Sequence, residues 1–505
     1  MNYPALLSFI CGFASLSLEI LWVRLYSFAN LSTPAAFGFV LAAYLLGIAI
    51  GAHIGSKACR QVKTGNGIWL LSIYALLLSA ACTILLPRAF SYLIFKGVHN
   101  PLVDLIFIAL SSSILAFIFP IAHHIGSNKN HEKQGRKLAF VYTSNVLGGA
   151  LGPIATGYVL LDHFTLQMCF QIIALLQLTA ATFFLLLTGI NRAYIKKILI
   201  ICTVAFIVTN LKITQNPQEL IQQLSSNGNR ATTIIENRHG IITLFHGENN
   251  DDLVFGGNVY DGRTNLDPEK NTNGLHRPLL LNALHPEPKR VLVIGLSIGT
   301  WLALINEFSG VKLIDVIEIN PGYIQAAQNY PLQTQALQDP RVNIIIGDAR
   351  RWLRLHSDLK YDLVVMNNTW HWRANSSLLL SEEFLRLLKP HMTHKAILAF
   401  NSTGSNDTFF TASNVFSHAY RYDNFVYAGN YDFRAMKSSP QALEGYKKML
   451  LNKRPFFKED STMPKLFLDR PFITIEHAKL STDRPLEVVT DKNMITEFKY
   501  GRKLY

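Results

Sequence analysis

Two glycines and an acid define the chemistry within reach of this chain. Gly295 and Gly299 bracket the turn Gly295-Leu296-Ser297-Ile298-Gly299, which follows the β-branched run Arg290–Ile294. Glu318, followed by Ile319, closes a second apolar run, 311–317. Glycines in such a turn let the backbone approach a ligand closely. A carboxylate at the end of the neighbouring strand can accept hydrogen bonds from both hydroxyls of a ribose. The turn alone is common for purely geometric reasons. The turn and an acidic strand end at this spacing point to a nucleoside-binding, Rossmann-like unit.

A second cluster, Asn367-Asn368-Thr369-Trp370-His371-Trp372-Arg373, follows the apolar run 361–366. Its tryptophans could pack over an adenine, face a sulfonium by cation–π attraction or cover an acceptor. His371 is a candidate general base, since an imidazole titrates near neutrality. The alternative is a loop whose rings cover the sheet and whose histidine is solvated. His276, in GLHRPLL, is equally a candidate or a structural residue. His394 and His418 lack ligand spacing with other donors, so no metal site is expected.

The elements that must carry these residues alternate between strand and helix. After Arg290–Ile294 come a helix over 301–308 and the strand 311–317. Strand 342–346 leads into Gly347-Asp348-Ala349-Arg350, helix 351–356 and strand 361–366. A helix over 381–388, a turn at 389–391 and a strand over 395–400 complete the pattern of a parallel α/β sheet. Ahead of it, TTIIEN, GIITLFHG and DDLVFGGNVY alternate as a small antiparallel module ending at Tyr260. A polar linker, 214–230, precedes the module.

The amino-terminal part has a different character. Across 505 residues, 49% are hydrophobic and 16% charged, too apolar for an ordinary soluble enzyme. Residues 1–212 carry 14 Lys/Arg against 4 Asp/Glu, and the remainder 33 against 30. The excess positive charge therefore flanks apolar stretches and does not form a nucleic-acid surface. Seven spans of membrane-crossing length are expected near 4–27, 35–56, 68–87, 102–123, 138–161, 166–189 and 195–211. The ladders Gly47/Gly51/Gly55 and Gly148/Gly149/Gly152 would let helices approach closely, though 148–153 could instead break its span. Glu19 and Arg24 fall within or at the end of the first span, where an ionisable group has a partner or a task. Asp162–His163 reads as loop. The basic residues after spans two, four and six lie on one side, which would be cytoplasmic. Seven spans would then put the carboxyl-terminal part on the other side, whereas an adenosyl cofactor argues for the cytoplasm. All five cysteines fall in the apolar part and imply no disulfide framework.

The motifs HPEPKRVLVIG, DVIEINPGYIQAAQ, DPRVNIIIGDARRWL, YDLVVMN and EEFLRLLKP resemble the spermidine synthase (polyamine aminopropyltransferase) family, which has the class I methyltransferase fold. SLEILWVRL, LAAYLLGIAIGAHIG and SNVLGGALGPIATGYVLL resemble the membrane domain of membrane-fused members. The resemblance implies a multi-pass membrane domain over 1–212, a linker over 213–231 and a small β module over 232–275. A spermidine synthase-like core would follow over 276–401, and the end of the soluble part over 402–505. It implies an adenosyl site built from Gly295, Ser297, Gly299, Glu318 and Ile319, with Asp348 and the Ala349 amide at the adenine edge. Tyr260 would lie near the nucleoside and His276 near the aminopropyl group. The chain departs from the family where acids are expected: Ile298 stands in the glycine turn, and Asn367 and Trp370 replace two aspartates of the acidic motif. An amide can position a substrate but cannot take its proton.

The resemblance implies a transferase of the cell (inner) membrane. It would use S-adenosylmethionine or its decarboxylated form, leave methylthioadenosine and need no metal. Asn367, His371 and His276 are its candidate catalytic groups. Its acceptor would be a small molecule, a lipid or a membrane-bound substrate rather than nucleic acid, and a homo-oligomer stays open. A methyltransferase, an inactive adenosyl sensor or scaffold and a polyamine transporter are the competing readings.

Overall fold

The computed structural model describes residues 2–62, 65–127, 134–188, 197, 216–225, 230–248 and 251–504. Among these, six helices are long and apolar enough to cross a membrane. They are α1 (Tyr3–Ala29), α2 (Pro34–Gln61), α3 (Gly65–Phe95), α4 (Pro101–Gly126), α5 (Gln134–Ala155) and α6 (Leu166–Leu187). The seventh expected span, 195–211, lies outside the described residues. Proline in the first turn starts α1, α2 and α4, where its missing N–H costs nothing. The glycine ladders fix the packing. A Cβ on Gly51 would sit 2.0 Å from the carbonyl oxygen of Ser113 in α4, and one on Gly148 would sit 2.1 Å from that of Phe9 in α1. Contacts advance in step, Gly47 with Ala109 and Gly55 with Phe117, so α2 and α4 run parallel.

Two details differ from the sequence reading. The stretch 148–153 does not break its span. Helix α5 continues past Pro153 into a π turn, Thr156–Leu160, and a last turn, Leu161–His163. Pro153 lacks the N–H that would bond to the carbonyl of Gly149, and the chain stays helical through that gap. Asp162 therefore ends a helix and is not a loop residue. The polar linker also contains a helix, Glu219–Leu224, whose Leu220, Ile221 and Leu224 are buried in the core of the bundle.

Beyond the bundle, β1 (Thr233–Asn237), β2 (Gly240–Phe245), β3 (Leu253–Gly256) and β4 (Val259–Arg263) form an antiparallel sheet in sequence order. A seven-stranded mixed sheet follows, made of β5 (Arg290–Ile294), β6 (Leu313–Glu318), β7 (Val342–Ile346), β8 (Tyr361–Met366), β9 (Met392–Asn401), β10 (His418–Tyr422) and β11 (Phe425–Gly429). Its order is β10-β11-β9-β8-β5-β6-β7. The strands from β9 to β7 are parallel, and β11 and β10 add antiparallel strands at one edge. The chain after 402 thus extends the same sheet. Alternate residues of β5 and β8 enter different cores: Val291, Val293, Leu363 and Val365 on one face, Leu292, Ile294, Val364 and Met366 on the other. Burial on both faces explains their unbroken apolar runs. Chain order reverses between β5 and β8, which opens a crevice at the carboxyl ends of the strands.

The two parts are docked through the end of α1. The Arg24 guanidinium donates to the carbonyls of Asn237 and Gly240, the latter at 2.8 Å. Asp162 accepts the Arg238 N–H at 2.9 Å and pairs with its side chain at 3.2 Å. Glu236 accepts the Leu166 N–H at 2.8 Å, and Asn258 donates to Phe28 O at 3.1 Å.

Candidate functional site

Parallel pairing in register sets Ile294 beside Ile317, which brings the turn after β5 against Glu318. Leu296 N–H donates to one Glu318 oxygen at 2.7 Å and Asn320 N–H to the other at 2.8 Å. Each carboxylate oxygen retains acceptor capacity for a hydroxyl. Gly295 lies at φ 83° and Gly299 at φ 78°, where side chains are strained. A Cβ on Gly295 would also sit 2.9 Å from the carbonyl oxygen of Asn367 at the end of β8. Burial lifts the Glu318 pKa from 4.5 to about 7; the backbone N–H groups oppose the rise and Asp261 adds to it.

Two cavities meet at this turn. One, of about 580 Å³, has Gly295, Glu318 and Ile319 on one side and Ile20, Val23 and Phe28 of α1 on the other. The second, of about 240 Å³, is bounded by Tyr260, Arg263, Arg277, Trp301 and Trp370. Asp261, Ser297, Asn367 and Asn368 line both and form the junction. Asp261 reaches it because β4 closes onto the glycine turn. Ser297 Oγ donates to its carbonyl at 3.0 Å, and Thr300 Oγ1 to that of Arg263 at 2.8 Å. The Asp261 carboxylate accepts the Tyr323 hydroxyl. Burial raises the Asp261 pKa, while Arg373 and that hydrogen bond oppose the rise.

Of the expected residues, Gly295, Ser297, Glu318, Ile319 and Asn367 come together around the cavities, and Tyr260 flanks the smaller one. Gly299 supports the turn from below. Asp348 is exposed and caps the helix Ala349–Leu355, accepting Arg351 N–H at 2.8 Å; it and Ala349 lie outside both linings. Both ring nitrogens of His276 are engaged, with Asn271 at 2.7 Å and Asp423 at 2.9 Å, and burial lowers its pKa. His371 turns to Thr403 Oγ1 at 2.6 Å, and burial pushes its pKa down to about 4. Neither histidine lines a cavity. Arg24 is the docking residue described above and also lines the larger cavity, whereas Glu19 does not. Asp261, Arg277 and Tyr323 escaped the sequence reading. The available signal was an acid directly after Tyr260 at the end of an alternating run. Among the described residues, no group of three or more His, Cys, Asp and Glu is placed to hold a metal.

A family model for the spermine/spermidine synthase domain matches residues 276–421. Residues 276–421 form a spermidine synthase domain. The chain is 30% identical over 131 residues to the polyamine aminopropyltransferase of Thermococcus onnurineus (strain NA1), covering 25% of this chain and 45% of that protein. It is 37% identical over 83 residues to spermidine synthase 2 of Arabidopsis thaliana, covering 16% and 24%. It thus spans less than half the length of these curated relatives. Among solved structures, a spermidine synthase in complex with the transition state analogue AdoDATO aligns over 51% of this chain and 86% of its own, at 17% identity and a TM-score of 0.38. Within this spermidine synthase domain, the positions where the family resemblance leads one to expect aspartates hold Ile298, which is buried, and Asn367 and Trp370. Among the described residues, Asp261 and Glu318 are the two carboxylates that line the joined cavities.

Proposed function

We propose that the protein is a membrane-anchored transferase of the spermidine synthase type, moving an alkyl group from an adenosyl sulfonium donor to an acceptor that arrives from the bilayer side. One observation carries this reading: the cavity beside Glu318 and Gly295 is walled by Ile20, Val23 and Phe28 of the first apolar helix. An acceptor with an apolar portion could rest against α1 while its reactive end reaches the junction at Asp261.

The residues present fit an adenosyl donor. Glu318 is held by two backbone N–H groups with acceptor capacity left for ribose hydroxyls, and the Gly295 turn leaves room for the nucleoside. When bound, S-adenosylmethionine or its decarboxylated form supplies a carbon already activated by the sulfonium. The protein then positions the groups and excludes water. Asp261 provides the negative charge facing both cavities, opposite a sulfonium or an ammonium. Asn367 can orient an acceptor but cannot take its proton. That lack favours an acceptor that reacts without a protein base, and it also favours the second reading, an adenosyl-binding scaffold without turnover.

Thermal unfolding of the detergent-purified chain tests the adenosyl site. Methylthioadenosine at about a hundred times its Kd should stabilise the protein by about 2.7 kcal/mol, and Glu318→Ala should abolish the shift. A shift that survives in the variant would remove Glu318 from the site. Product analysis with each donor separates transferase from scaffold, since a scaffold releases neither methylthioadenosine nor S-adenosylhomocysteine.

A further inference from the structure

The smaller cavity has an electrostatic character unlike that needed for a polyamine. It is bounded by two guanidinium groups, Arg263 and Arg277, and by the amides of Asn273, Asn367, Asn401 and Asn424. Asp261 at the junction is its one lining carboxylate. Arg277 is buried between Trp301 and Phe425, with its guanidinium carbon 5.1 and 5.2 Å from their ring centres. Its hydrogen bonds run to neutral acceptors: Asn424 Oδ1 at 3.0 Å, Gly274 O at 3.0 Å and Asn273 O at 2.9 Å. These bonds leave further N–H donors of the planar fork unspent. Burial lowers its pKa, and the nearby Asp423 carboxylate, whose hydrogen bonds go to His276 and Arg470, opposes the fall. Arg263 is bonded to Asp251 at 3.0 Å and stands at the cavity rim. Asn368, which lines both cavities together with Asp261, has its Oδ1 buried without a hydrogen-bond partner among the described residues.

An acid and an orphan amide oxygen at the junction of the two cavities, with two arginines in the lining of the smaller one, offer partners for an ammonium and a carboxylate on one carbon. We infer that the smaller cavity takes the intact α-amino acid tail of S-adenosylmethionine, so the donor retains its carboxylate. The ammonium lies between Asp261 and Asn368 Oδ1, and the carboxylate meets Arg277 and Arg263. The inference rests on the adenosyl site at Glu318 proposed above and adds which donor that site selects. A decarboxylated tail would leave the unspent N–H donors of the buried Arg277 without a bonded anion, and a polyamine would place like charges together. Both are unfavourable in a partly desolvated cavity.

The test is calorimetric titration of the detergent-purified full chain with four probes. They are methylthioadenosine, S-adenosylhomocysteine, S-adenosylmethionine and decarboxylated S-adenosylmethionine. The two carboxylated ligands should bind at least tenfold more tightly than the decarboxylated one. Arg263→Gln should reduce that preference severalfold while methylthioadenosine, which has no amino acid tail, binds as before. Arg277→Gln should abolish the preference, but its buried position makes it a test of folding too, so the rim variant is read beside it. Decarboxylated S-adenosylmethionine binding as tightly as the intact donor, with methylthioadenosine also bound, would overturn the inference and leave the adenosyl site standing. Failure of all four probes, methylthioadenosine included, would overturn the adenosyl site itself.

Discussion

Glu318 accepts two backbone N–H groups yet titrates near 7, because burial outweighs those bonds. Its folded-state pKa exceeds the ordinary 4.5, so between roughly pH 4.5 and 7 the native state holds a proton that the unfolded chain has released. Ionising Glu318 therefore costs stability as pH rises through that window. Ribose hydroxyls donate best to the ionised form, so nucleoside binding should have the opposite slope. Methylthioadenosine affinity should be flat above about pH 7.5 and fall by up to about tenfold per pH unit below the pKa. Glu318→Gln should give weaker, pH-independent binding; a wild-type profile flat from pH 6 to 8 would refute a ribose role for the carboxylate. His276 belongs to a different class of residue. Its two nitrogens tie Asn271 to Asp423, so His276→Ala should cost about 1–3 kcal/mol in thermal unfolding with little change in nucleoside affinity. The glycine turn and Glu318 were legible in the sequence because a strand end and its turn are local features. Asp261 was not, since it meets Ser297 across 36 residues only after β4 folds onto the turn.

The helices and strands that hold these residues depend on close backbone approach. At Gly51 a methyl group would lie 2.0 Å from a carbonyl oxygen of α4, and a backbone atom cannot step aside as a flexible side chain could. Gly51→Ala should destabilise the bundle by about 1–3 kcal/mol, read as a lower unfolding temperature in detergent. Gly38→Ala, on the same helix with open space at its Cβ, should be neutral or slightly stabilising. The small-residue ladder was readable from spacing alone, since a four-residue period returns to one helix face. The helix Glu219–Leu224 was not, because six residues carry too little periodicity to separate it from a polar linker. Nor did the sequence reveal that β10 and β11 complete the sheet, since antiparallel edge strands depend on a partner elsewhere. Arg24 was expected to have a partner or a task, but the sequence did not say which. Its bonds go to carbonyls of the β1–β2 hairpin, so Arg24→Met should expose residues 233–245 to limited proteolysis while the bundle stays folded.

The arrangement of the whole molecule follows from which end of the bundle is docked. Phe28 at the end of α1, Asp162 at the end of the α5 segment and Leu166 at the start of α6 all bond to the soluble part. Because α2 runs away from that face and parallel to α4, both end at the opposite face, as does α6. Lys57 and Arg60 in the last turns of α2, and Arg136 and Lys137 in the first turn of α5, therefore lie far from the spermidine synthase domain. The sequence adds Lys63, Lys129, Lys133, Arg192, Lys196 and Lys197, which follow α2, α4 and α6 in chain order. Lysine and arginine flanking spans are retained on the cytoplasmic side, so the expected position of the docked domain is the other face, a prediction that labelling decides. The charge asymmetry was legible in the sequence; its separation from the docked face needed the packing of α1 against the β1–β2 hairpin. A cysteine introduced at Leu480, which is 87% exposed, reports on this directly. In intact cells, a membrane-impermeant maleimide should label Leu480→Cys at once, whereas Cys59 near the basic end of α2 should need permeabilised cells. The reverse pattern would put the adenosyl site in the cytoplasm and show that docking contacts, rather than basic flanks, set the orientation of this chain.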